Sequence, residues 1–99
     1  MKITPENIYQ EIIKKLSISD IHPLHKAMIE ECCETAIKSN PEILDLDILT
    51  NAVQIAFLTC NSTLKATLQS AIELQNADEI TLNYRKQKFI ISKNSTLIN

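Results

Sequence analysis

The sequence predicts a mainly α domain of the α+β type: a core of three to four helices, orthogonal or bundle-like, followed by a C-terminal two-stranded β-hairpin. Three observations predict it. Aliphatic residues recur at helical spacing from Ile8 to Ile72, the period changes to two after Asp78, and a Pro-Glu pair follows a capping-type residue twice, at Thr4-Pro5-Glu6 and Asn40-Pro41-Glu42. A chain of 99 residues is expected to form a single domain over 1–99.

Thr4 is placed to cap the first helix, Pro5 suits its first position, and Ile8, Ile12, Ile13 and Leu16 make its buried stripe, so a helix is predicted over about 5–16. A second helix is predicted over about 22–39, starting near Ser19 to Pro23, with Ile29, Cys33 and Ile37 inward. Its outer face carries Lys26, Glu30, Glu31, Glu34 and Lys38. A short helical turn is expected at Pro41 to Leu44, then a helix over about 47–60 capped by Asp45 or Asp47. That helix is apolar on several sides, which marks it as the central element. A break is expected at Cys60 to Thr63, with Ser62 capping a further helix over about 62–76, the alternative being one bent continuous helix. Ile80, Leu82 and Tyr84 then alternate with polar residues, and Lys88 to Ile91 supplies the return strand of a hairpin over about 79–92. Residues 93–99 are expected to fray, although Leu97 and Ile98 can dock.

The chain contains no glycine, where roughly seven would be expected at the average usage of about 7%. Phosphate-binding loops, dinucleotide fingerprints, EF-hand turns and nucleophile elbows all need that residue, so these classes are excluded. Asparagine is the next-best residue in the left-handed region and stands at three predicted helix ends, with Asn61 and Asn76 the expected left-handed residues and Asn40 held extended by Pro41, while Asn83 lies beside the hairpin turn. The hairpin connection is expected to exceed two residues, because the tightest turns favour glycine.

Charge divides along the chain. Residues 1–61 hold five lysines against nine carboxylates, a net of −4, and residues 62–99 hold five cations against three carboxylates, a net of +2. No apolar run reaches membrane-spanning length, and Pro5 and Glu6 interrupt any export signal at the N-terminus, so a cytoplasmic location and no membrane partner are expected.

Three cysteines, two of them adjacent, are expected to be buried small hydrophobes, with Cys60 on the Val53/Phe57 face. His22 and His25 lie three apart, but a thiol or metal enzyme built on them and a cysteine would need a third ligand from elsewhere, for which Asp45 or Asp47 are the candidates. No catalytic residue, metal, cofactor or small-molecule substrate is expected, and the chain is not expected to be an enzyme.

The first functional expectation is a small protein-binding domain, a regulatory or inhibitory accessory, acting as a homodimer through its hairpin surface. Its expected contacts are Arg85, Lys86, Lys88 and Ile90, with Glu30, Glu31 and Glu34 as a second face for a basic partner. The alternative is a winged-helix-like DNA-binding domain, because helix, break, helix and basic hairpin follow in the order of a helix-turn-helix with a wing. Its contacts would be Thr63, Lys65 and Gln69 with Arg85, Lys86 and Lys88. That helix is a poor groove reader, having no arginine to pair with guanine.

Overall fold

The structure, a computed structural model, describes residues 2–17, 21–95 and 97. The order is α1 (Pro5–Leu16), α2 (Pro23–Ser39), α3 (Leu46–Gln75), β1 (Glu79–Tyr84) and β2 (Gln87–Ser92). The mainly α fold with a C-terminal antiparallel hairpin is the one the sequence predicts. Two compact units, Met1–Leu58 and Thr59–Asn99, divide the chain.

In the first unit α1 begins with a reciprocal cap. Thr4 Oγ1 accepts from the Asn7 N–H at 3.2 Å, and Asn7 Oδ1 accepts from the Thr4 N–H at 3.0 Å. It ends at Ser17, in the left-handed region at φ 51°. The expected start of α2 near Ser19 falls outside the described residues. His22 is the cap that is seen, its Nδ1 accepting from the Leu24 N–H at 3.0 Å. The core of this unit buries Ile8 and Ile12 of α1, Leu24, Met28, Ile29 and Cys33 of α2, and Leu49, Val53 and Phe57 of α3. The His25 ring stands edge-on to Phe57 with centroids 5.4 Å apart, and Lys15 Nζ donates to Asn51 Oδ1 at 3.0 Å.

Two local expectations fail between α2 and α3. Pro41 and Glu42 form a turn rather than a turn of helix, and residues 43–45 are irregular. Asn40, expected to be extended before Pro41, lies instead at φ −134° and ψ 59°, outside the extended region, where its side-chain amide donates to the Ala36 carbonyl at 2.9 Å. Asp45 Oδ1 accepts from the N–H groups of Asp47 and Ile48 at 2.9 and 3.2 Å, which satisfies the first turn of α3.

The expected break at Cys60 to Thr63 is absent, and the predicted helices over 47–60 and 62–76 are one 30-residue helix. The hydroxyl chemistry explains the difference. Thr63 Oγ1 donates to the Thr59 carbonyl at 3.3 Å, and Thr67 Oγ1 donates to the Thr63 carbonyl at 2.9 Å. Hydroxyls bonded back to the preceding turn sit within a helix instead of starting one. Asn61 is therefore helical rather than left-handed, while Asn76 is left-handed at φ 49° as expected. The N–H groups of Asn76 and Ala77 donate to the carbonyls of Glu73 and Ile72, which closes α3 with an asparagine-based Schellman motif.

In the second unit β1 and β2 pair from Glu79↔Ser92 to Tyr84↔Gln87, leaving only Arg85 and Lys86 between them. Both are left-handed, at φ 51° and 63°. The expectation of a longer connection is thus overturned. Strand register is fixed by burying Phe89 and Ile91 on one face, and a two-residue primed turn matches the twist of the strands even without glycine. Leu97 is buried, so the tail does not fray throughout, while Ile98 lies outside the described residues. Ile90 is 59% exposed.

Candidate interaction surfaces

The hairpin register decides what each strand face presents. Ile80, Leu82, Tyr84, Gln87, Phe89 and Ile91 share one face, and Glu79, Thr81, Asn83, Lys88, Ile90 and Ser92 share the other. Thr81 stands opposite Ile90, and Asn83 opposite Lys88. Three of the expected contacts, Arg85, Lys86 and Lys88, are exposed, and with Ile90 they run from the turn down the outward face of β2. At the other end of the ladder Lys93 Nζ pairs with Asp78 Oδ1 at 2.9 Å, and the Lys93 N–H donates to the Asp78 carbonyl.

The acidic face of α2 is divided. Glu30 and Glu34 line an open cleft of about 400 Å³ together with Thr4, Glu6, Tyr9 and Lys26, whereas Glu31 lies outside it. Tyr9 had no signal in the sequence, because only the packing of α1 on α2 brings it to these carboxylates. Burial raises its phenol above the ordinary value, and the negative charges of Glu30 and Glu6 add to the shift. Beneath, burial pushes the Cys33 thiol up to about 12, assisted by Cys32, Glu30, Glu34 and Glu6. A thiol so raised is protonated and unreactive at neutral pH.

The remaining candidates are dispersed. Cys33 is buried as expected, Cys32 is half-buried, and Cys60 is exposed, which corrects its expected burial. The His22 and His25 rings lie 6.4 Å apart, with His22 engaged as a cap and His25 against Phe57. Among the described residues no three His, Cys, Asp or Glu side chains gather to hold a metal. No helix among them is long and apolar enough to cross a membrane.

The groove-reading set is poorly presented. Thr63 spends its hydroxyl on the Thr59 carbonyl, and Lys65 and Gln69 are half-buried. The turn that a helix-turn-helix requires is occupied by the continuous helix α3.

Comparison with protein-family models, with curated proteins and with solved structures gave no match.

Proposed function

We propose that the chain is a non-enzymatic protein-binding accessory whose hairpin engages an acidic, partly apolar protein surface. One observation carries this reading. Both residues of the two-residue turn are cations held at positive φ, where Asn-Gly would be cheaper by about 1–2 kcal/mol per residue. The strand register sets the turn type, so what supports the reading is the use of two cations in place of Asn-Gly at its exposed tip. Lys88 and Ile90 continue the same surface along β2, adding a third cation and an exposed aliphatic side chain.

A two-stranded sheet leaves unpaired backbone donors and acceptors along its edges, so an extended acidic segment can add as a strand while its carboxylates meet the cations. Long-range attraction raises the rate of encounter, and Ile90 slows departure by burying apolar surface. Three cations on one small surface disfavour pairing of the hairpin with its own copy.

The test is a titration of the labelled protein with a short peptide of alternating glutamate and leucine. Saturable binding is expected with shifts centred on Arg85 to Ile90, and Arg85→Glu with Lys86→Glu should weaken it at least about tenfold. Equal binding of the wild type and the charge-reversed variant would refute the reading.

A further inference from the structure

The hairpin has two edges, and its ladder decides what each one offers. The Lys93 N–H donates to the Asp78 carbonyl at 2.9 Å. Bonded and non-bonded pairs alternate along an antiparallel ladder, so Ile80↔Ile91, Leu82↔Phe89 and Tyr84↔Gln87 exchange its bonds. The residues between them aim their N–H and C=O groups outward, away from the neighbouring strand. On β1 these are Glu79, Thr81 and Asn83, and on β2 they are Lys88, Ile90 and Ser92. All six residues are exposed. The edges differ in charge and in free length. The β1 edge carries the Glu79 carboxylate, next to Asp78, and no cation. The β2 edge carries Lys88 and Ile90 and leads to Arg85 and Lys86 at the turn. At its far end the Ser92 carbonyl already accepts from the Ser95 N–H at 2.9 Å, and among the described residues no backbone bond from outside the ladder reaches Lys88 or Ile90. The open stretch of β2 therefore lies beside the cations.

Given the acidic partner proposed above, on which this step rests, we infer that its segment adds antiparallel to the edge of β2, in the order apolar, any, acidic, any, acidic. Antiparallel pairing is the more stable arrangement per residue, and side chains directly opposite each other share a face. The apolar residue lies across from Ile90 and exchanges both backbone bonds with it. The first carboxylate lies across from Lys88, bonded in the same way, and the second meets the cations of the turn. On the edge of β1 the same segment would face Glu79, where like charges repel.

Hydrogen exchange of the full chain tests this, with a peptide of sequence threonine-leucine-threonine-glutamate-threonine-glutamate blocked at both ends. At saturation the Lys88 and Ile90 amides should exchange at least about tenfold more slowly, while those of Thr81 and Asn83 keep their rates. Methylating the backbone nitrogens of the leucine and of the first glutamate keeps every charge but removes both donors, and should weaken binding at least about tenfold. Reversing the order of the peptide should weaken it about threefold. Protection at Thr81 and Asn83 instead, or equal binding of the methylated peptide, would overturn the edge assignment, yet leave the acidic partner standing where Arg85→Glu with Lys86→Glu still weakens binding. A reversed peptide that binds as tightly would overturn the direction. No binding, or binding indifferent to the charge reversal, would overturn both readings.

Discussion

Thr50 sits fully buried in α3, and its hydroxyl has no hydrogen-bond partner among the described residues. An unsatisfied buried hydroxyl costs about 1–3 kcal/mol, so Thr50→Val, which keeps the branched shape, should raise stability by about 1 kcal/mol in urea unfolding. Cys33 makes the complementary case for pH. Its folded value of about 12 lies above the ordinary 9.0, so the protonated thiol favours the folded state. That contribution is complete below about pH 9 and is lost as pH rises toward 12, and Tyr9, raised from 10.0, acts in the same direction. Stability measured across this window should fall with rising pH, and Cys33→Ala should flatten the fall; an unchanged slope would assign it elsewhere. The burial of Cys33 was legible because Ile29 and Ile37 flank it at helical spacing. Cys60 shares the face of Val53 seven residues earlier, but burial also needs a neighbour over that turn, and no single sequence discloses one.

The elements show where local patterns suffice. The Thr4 cap and the left-handed Asn76 could both be read from the sequence, because each is settled within four residues. The asparagine, serine and threonine at 61–63 misled, because these side chains cap a helix or bond back along it with similar ease. Proline separates the two arrangements. At Thr63 it would occupy a tolerated first position if Ser62 were a cap, but inside the continuous α3 it should cost about 3 kcal/mol. A thermal melt of Thr63→Pro decides the matter, and a near-neutral effect would restore the break. In the hairpin the absence of glycine pointed to a longer loop, yet register set by Phe89 and Ile91 outweighed turn preference. Replacing Arg85-Lys86 with Asn-Gly should therefore stabilise the chain by about 1–3 kcal/mol while weakening acidic-peptide binding. A destabilised Asn-Gly variant would mean that the tip is not strained.

At the scale of the molecule the charge division seen in the sequence coincides with the compact units. Positions 59–61 are uncharged, so Met1–Leu58 carries the net −4 and Thr59–Asn99 the net +2. This asymmetry was legible from counting alone, as was the basic hairpin. The Tyr9 cleft was not, because its walls come from residues 4, 6, 9, 26, 30 and 34, which only folding assembles. The proposed function rests on the positive end of this division meeting an acidic partner. The most direct measurement follows amide shifts of the wild type and of the Arg85→Glu, Lys86→Glu variant while the glutamate–leucine peptide is added at low and at physiological salt. Binding centred on Arg85 to Ile90 is expected, weakened by salt and lost at least about tenfold on charge reversal. Shifts centred elsewhere, or affinity indifferent to both salt and charge reversal, would contradict it.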